Sequence, residues 1–457
     1  MRAGSTVDAV VVGAGTAGAN AAYQLARRGL DVVLLERRRA DRAGAQWHNG
    51  VLDWQFEAAG LEPPTPPERV VGRGVTHLVG PDGTHGVTVR RSPTTRADMR
   101  LLGQRLRDLA RSEGVEVVDR IDRLDVEVRG DRVAAVRCSA AGRATDLRFA
   151  APLFVDASGR RGALRRRSPV LRDRCPEVRG DELCTASDHH LRIADPGGAE
   201  RFLERHGAVP GDGVTVVGLA GGFSTRAITV SEDLDEAAVL TGCLANGRYG
   251  TGPRMMERTR VDEPWLGEPI DGGSGVIPLR RPYARLTAPG LALVGDSACQ
   301  VFPAHGSGIG FGLIAGRMLA DAVAGAADPG DPATLWAYQA AFHQEHGGLL
   351  AAHDAFRRMS TVLGSAGVAA MIRAGLLSEH MSTGGLDQRW PAPRPSELPG
   401  MAARMARVPG VAARMLPMLA RGQVLVGIGE RYPGDPDERA LAAWDARVSR
   451  LLGPLPR

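Results

Sequence analysis

The stretch that most limits what this chain can fold into is Val7–Arg37, VDAVVVGAGTAGANAAYQLARRGLDVVLLER. After Asp8 the run to Val12 is apolar and β-branched, the composition of a strand buried on both faces. Gly13, Gly15 and Gly18 follow in GxGxxG spacing. Ala19 to Arg28 is rich in helix formers, with Ala22, Leu25 and Ala26 apolar, and Gly29 stands where a helix C-cap would. Val32–Leu35 is a second strand ending on Glu36. Strand, glycine turn, helix, strand and acid in register make a βαβ unit, which commits the chain to a parallel sheet.

Each part has a physical job. Gly13 permits the tight turn, Gly15 lets the backbone approach a pyrophosphate, and Gly18 lets the helix pack close to the strand. The helix N-terminus offers free N–H groups and a positive dipole end to phosphates. Glu36 can accept hydrogen bonds from both ribose hydroxyls, which points to an unphosphorylated adenosine ribose, as in NAD or FAD. Thr16 and Ala17 inside the turn and Arg37 beside Glu36 complete the expected contact set.

With 457 residues the chain is too long for one ordinary core, so two or three subdomains are expected. All 57 basic residues are Arg, the net charge is +5, and aromatic residues are only 4%. The Arg are scattered apart from Arg160, Arg161 and Arg165–Arg167, a pattern that excludes a nucleic-acid module but exerts a mild pull on anionic ligands. Cys138, Cys175, Cys184, Cys243 and Cys299 show no CxxC spacing, so free thiols in a reducing cytoplasm and no metal site are expected. Ser297–Gly316 is uncharged but interrupted by Pro303, His305 and repeated glycines; it reads as a loop and a buried helix, not a membrane span.

In chain order, the Pro63–Pro67 region is a loop and Gly72–Val89 a hairpin. Thr95-Arg96-Ala-Asp98 is expected to start a helix to about Glu113, capped by Thr94 or Thr95. Arg123–Val128, Arg132–Cys138 and Arg143–Phe149 read as an antiparallel meander. Leu153–Asp156 is a strand running into a small-residue turn. Beyond it, strands at Leu183–Ala186, Gly213–Leu219 and Ala227–Ser231 alternate with helices expected at Gly198–His206 and Asp235–Asn246. His189-His190 is expected at a strand edge. Leu291–Val294 runs into Gly295-Asp296, then Phe302-Pro303 and a glycine-rich helix start. The C-terminal part is helical, interrupted by Val408-Pro409-Gly410 and Pro417, with a last helix at Glu438–Leu452.

This order of motifs, spanning residues 7 to about 325, resembles the flavoprotein superfamily of p-hydroxybenzoate hydroxylase and geranylgeranyl reductase. Gly306-Ser-Gly-Ile-Gly-Phe-Gly312 with Arg317 looks nearest to geranylgeranyl reductase-like proteins. The resemblance implies an α/β fold: a Rossmann-like FAD-binding domain of the GR2 type, an interleaved substrate-binding β-sheet layer, and a helical C-terminal region. The FAD-binding parts would be 1–60, 95–167 and 276–330, with a substrate-side hairpin at 61–94, the substrate sheet at 168–275 and the helical region at 331–457. Gly13, Gly15, Gly18 and Glu36 would hold the ADP half of FAD, while Arg96 and Asp156 match cofactor-contacting positions and Asp296 the acid that binds the ribityl chain. Gly295 and Pro303 frame that turn, and Gly306, Ser307, Gly308 and Ile309 would lie against the flavin ring.

Departures are visible: Cys299 closes the Asp296-Ser-Ala-Cys299 stretch, Ala304 replaces a second proline, and Trp47-His48-Asn49-Gly50 stands where a cysteine-glycine-glycine loop occurs in archaeal geranylgeranyl reductases. Flavin halogenases use an active-site lysine; this chain has none. His305 and His48 are the candidate proton-handling residues.

The resulting expectation is an FAD-dependent oxidoreductase acting on a hydrophobic or aromatic small molecule. A monooxygenase is the first reading; a geranylgeranyl reductase-like ene-reductase and a non-redox cyclase resembling lycopene cyclase are the alternatives. No second complete GxGxxG unit is present, so NAD(P)H would visit transiently or an electron-transfer partner would serve. A cytoplasmic protein is expected, with the Met-rich C-terminal helices read as core and, alternatively, as a lid in peripheral contact with a membrane.

Overall fold

The computed structural model describes all residues except 1–5, 71, 143–145, 391–392, 454 and 456–457. Ala9–Val12 is a fully buried strand. It lies between Val32–Leu35 and Leu153–Asp156, parallel to both, with Val12 opposite Leu35 and Asp156. Glu116–Val118 extends the sheet beyond Val32–Leu35, and Leu291–Leu293 pairs parallel with Leu153–Asp156. Because these strands run the same way, the turns after Val12, Asp156 and Leu293 emerge at one edge. Helices Thr16–Ala26 and Ile309–Val323 cover one face. Gly316 lets them touch: a Cβ there would sit 3.0 Å from the Ala21 nitrogen.

A second, seven-stranded sheet forms the other layer. Its order is Leu266–Pro278, Leu183–Ile193, Glu236–Leu244, Ser224–Val230, Gly213–Val217, Thr76–Val79 and His85–Val89. The hairpin at 76–89 and the later strands are thus one sheet, joined by parallel pairing of Thr76–Val79 with Gly213–Val217. The meander forms as Ile121–Arg129, Arg132–Ala140 and Leu147–Ala150, with part of its third expected strand, 143–145, outside the described residues.

Four local expectations are corrected. Thr94–Asp98 is a strand antiparallel to His48–Leu52; the helix begins at Met99, with the Asp98 carboxylate accepting from the Arg100 N–H at 2.8 Å. Residues 236–244 form a strand, not a helix: two-sided pairing overrides the helix propensity of its Ala and Leu. For the same reason His189 and His190 lie on a central strand, flanked by 236–244 and 266–278. Pro417 does not end a helix but lies inside Pro409–Gly429.

The C-terminal helices Gly348–Arg373, Pro409–Gly429 and Glu438–Leu452 build a separate apolar cluster around Met359, Met415, Leu425 and Val448. Pro409–Gly429 is long and apolar enough to cross a membrane by length and composition, and a third of it is buried in this cluster. All five cysteines are buried, and none is joined in a disulfide among the described residues. Asp354 and Arg357 are completely buried, and Asp354 accepts from Arg357 and Arg358, each at 3.0 Å. Arg357 also donates to the Asp181 carbonyl at 2.9 Å, tying the long helix to the substrate sheet. Burial pushes the Asp354 carboxyl up, but the Arg358 and Arg357 guanidiniums outweigh it and hold the group well below the usual carboxylate range.

Removing Asp354 would leave two guanidiniums without their shared carboxylate. Asp354→Ala should lower unfolding stability in urea by about 3–5 kcal/mol. A depressed acid stabilises the fold above its unfolded pKa of about 4, so the wild-type advantage should shrink as pH falls below that value.

Candidate functional site

The three turns at the sheet edge open into one cavity of about 1600 Å³, larger than the roughly 300–1,000 Å³ typical of a single small-molecule site. Its lining includes Gly13, Gly15, Thr16, Ala17, Glu36, Arg37, Gly295, Asp296, His305 and Gly306–Ile309, with Arg96 on the far wall. Residues separated by nearly 300 positions are thereby brought together.

Gly13 has φ +107°, and a Cβ there would strike the Ala157 carbonyl oxygen at 2.3 Å. Gly15 is the N-cap of Thr16–Ala26 and leaves the helix end without a side-chain cap. A Cβ on Gly15 would meet nothing closer than the Gly44 Cα at 3.6 Å, so the space in front of the uncapped N–H groups is open. Glu36 lines the cavity while its two oxygens accept from the Ala14 and Arg38 N–H groups, both at 2.8 Å. Arg160 and Arg161 line the same region.

Asp296 has no hydrogen-bond partner on its carboxylate among the described residues, and burial pushes it up to about 6, with Arg160 partly opposing. His305 is exposed and lines the cavity; desolvation by the surrounding protein pushes its imidazole down to about 4, so it is neutral at pH 7. Trp47 lies over Gly273 and Gly275, where Cβ atoms would come within 2.6 and 3.2 Å of its ring.

Four expected site residues do not line the cavity. Gly18 packs against the turn, where a Cβ would overlap the Gly13 carbonyl. Pro303 is buried behind the glycine loop. Asp156 is fully buried and accepts from Leu164 N, Arg165 N and Ser158 Oγ, so it shapes the turn and leaves no lone pair facing outward. Its backbone carbonyl receives the Ser297 hydroxyl at 2.5 Å, and Arg165 donates to the Ser297 carbonyl at 3.0 Å. These contacts lock the second turn to the third.

His48 is buried and is not among the residues lining the cavity. It stacks on His190, ring centroids 4.1 Å apart and 7° from parallel. His48, His190 and Asp271 have ligand atoms within 4.8 Å of one another, but two nearly parallel stacked rings share no in-plane point at which both lone pairs could meet one ion. Arg96 lies on the strand before its helix and pairs with Asp188 at 3.2 Å, so its charge is already engaged. Sequence reasoning missed Arg107, fully buried and donating to the Ala14 carbonyl at 3.3 Å; an Arg on the apolar face with Leu102, Leu106 and Ala110 was the signal.

A dinucleotide fits what is present. The uncapped helix end and the Gly15 opening suit a pyrophosphate, Glu36 a ribose, and the partnerless Asp296 a hydroxylated chain. Comparison agrees: residues 8–192 match the FAD-dependent oxidoreductase family. That match takes in the first two of the three turns. The chain is similar to digeranylgeranylglycerophospholipid reductase of Sulfolobus acidocaldarius, 26% identical over 378 residues, 77% of this chain and 76% of that protein. Its fold resembles a geranylgeranyl bacteriochlorophyll reductase-like protein from Thermoplasma acidophilum, with TM-score 0.69, 16% identity, and coverage of 89% of this chain and 99% of the other. It also resembles the flavin-dependent brominase Bmp2, with TM-score 0.60, 15% identity, and coverage of 88% and 100%.

Gly15→Val should fill the opening and lower FAD retention at least tenfold, read as flavin absorbance per protein after gel filtration, with an unchanged far-ultraviolet circular dichroism spectrum. Asp296→Asn should make the apoprotein more stable above pH 6. An acid raised from about 4 to about 6 on folding has no effect below pH 4, destabilises progressively between 4 and 6, and costs most above 6. Thermal midpoints across pH 4–8 check this, and the same variant should bind FAD more weakly.

Proposed function

We propose that this protein is an FAD-dependent reductase that saturates a carbon–carbon double bond in a largely apolar substrate. The observation that carries the reading is one continuous cavity, in which the glycine-turn cradle opens beneath a roof of Val368, Met371, Leu376, Met415, Met418 and Leu419. The curated relatives support a reductase over the monooxygenase expected first: matches of 24–26% identity carry the digeranylgeranylglycerophospholipid reductase name.

Bound FAD, reduced by NAD(P)H or an electron-transfer partner, supplies the hydride that this chemistry needs. The chain supplies position, dryness and the second hydrogen. Gly13, Gly15, Thr16, Ala17, Glu36 and Asp296 would hold the dinucleotide, Arg160 would attract its phosphates, and Gly306–Ile309 at the N-terminus of Ile309–Val323 would meet the flavin. His305, neutral and facing the cavity, holds a proton on one ring nitrogen and is placed to orient or deliver it. Helices Leu398–Ala406 and Pro409–Gly429 carry Arg404, Arg414 and Arg421, with Arg407 between them and no acid from 398 to 429, and expose Leu398, Leu416 and Val424. That combination suits peripheral contact with an anionic membrane from which an apolar substrate enters.

The test is anaerobic incubation of dithionite-reduced holoenzyme with a panel of polyprenyl alcohols and polyenes, followed by mass spectrometry. Products heavier by two hydrogens per saturated bond are expected. Insertion of one oxygen atom in air without hydrogenation would replace this reading with a monooxygenase, and cyclisation without net reduction with a cyclase.

A further inference from the structure

The cavity floor changes character across the seven-stranded sheet. Near Leu266–Pro278 it meets the glycine turn: a Cβ on Gly306 would touch Leu279 at 3.3 Å and Ile277 at 3.8 Å. Three to five strands further across, Thr225, Thr229, Thr215 and Thr76 line the cavity. At about 4.8 Å per strand, this patch lies about 14–24 Å from the Leu266–Pro278 edge.

Strand register places the four threonines on one face. Gly213 pairs with Thr76 on one side and Thr229 on the other, Thr215 pairs with Ala227, and Val217 with Thr225. Alternation along each strand then turns all four side chains the same way. Gly213 leaves a notch between two of them: a Cβ there would lie 3.1 Å from the Thr229 hydroxyl and 3.8 Å from that of Thr76. None of the four hydroxyls makes a hydrogen bond among the described residues. Opposite them the roof is aliphatic, with Val368 and Met371 from one helix and Met415 and Met418 from another. Four open hydroxyls under an apolar roof lose hydrogen bonds when an apolar group displaces water from them, so they favour a ligand that returns those bonds.

We propose that this patch is a subsite for an uncharged oxygen-bearing end of the substrate, a hydroxyl or carbonyl group. The remainder of the molecule reaches back along the floor to the glycine turns. The substrate class is therefore an elongated amphipathic molecule with a neutral polar terminus. The four hydroxyls, each both donor and acceptor, match such a terminus; a phosphate would call for a cation among them, and none of the four registered positions supplies one. This inference rests on the reading of the cavity as a substrate site but not on the reaction performed there.

The experiment is a binding titration of flavin-loaded holoenzyme, followed by the change in flavin absorbance and requiring no turnover. The probes are geranylgeraniol, geranylgeranyl phosphate, and a tetraprenyl hydrocarbon of equal length without oxygen. Wild-type protein should bind the alcohol about five- to tenfold more tightly than the hydrocarbon. Thr229→Val and Thr215→Val keep side-chain shape and should erase that preference while leaving hydrocarbon affinity and flavin content unchanged. The phosphate should bind no better than the alcohol. The proposal is overturned if the variants keep the wild-type preference, if the wild type shows no preference, or if the phosphate binds more tightly than the alcohol. If the preference holds but no reduction is ever seen, the reaction assignment fails and the subsite stands.

Discussion

The site depends on parallel pairing of three short strands, Ala9–Val12, Leu153–Asp156 and Leu291–Leu293, which delivers their following turns to one edge of the sheet. Each turn alone is an ordinary glycine- or acid-containing bend. Held side by side they form a single cradle. The carboxylate of Asp156 secures the middle turn by accepting three backbone N–H groups and a hydroxyl, and its backbone carbonyl and Arg165 fasten the third. Such a hydrogen-bonded junction in a dry interior resists rearrangement, because breaking one contact strands a buried polar group.

The second layer is organised differently. Its long antiparallel strands present one face to the cavity and the other to a separate core around Phe202, Ile228 and Val239. Glycines on the cavity face make room: Gly273 and Gly275 seat the Trp47 ring, and Gly213 opens the notch between threonines. The C-terminal helices close the chamber from above and are anchored by the buried Asp354–Arg357–Arg358 group. Cofactor cradle, sheet floor and helical roof therefore come from three parts of the chain with distinct cores.

Legibility followed the range of the forces involved. The first βαβ unit could be read directly because its glycines, apolar runs and acid act within some thirty residues. The strand at 236–244 could not, since its Ala and Leu favour a helix and only pairing on both edges makes it extended. Thr94–Asp98 failed for the same reason, and with it the placing of Arg96, which a strand aims at Asp188. Asp156 was found as a site residue but with the wrong job: spacing identifies an acid after a strand, whereas its partners eight and nine residues on decide whether it faces a ligand or its own loop.

By itself the sequence determined that a dinucleotide-binding unit starts the chain and that acids and glycines recur after two later strands, because turn geometry and buried-strand composition are local properties. Only the tertiary structure decided which of those residues share a cavity, that His305 lines it while His48 is buried against His190, and that unpartnered threonines lie at its far end. Those outcomes are set by strand register and by which side chains compete for the same interior space, and neither quantity is written in residue spacing along the chain.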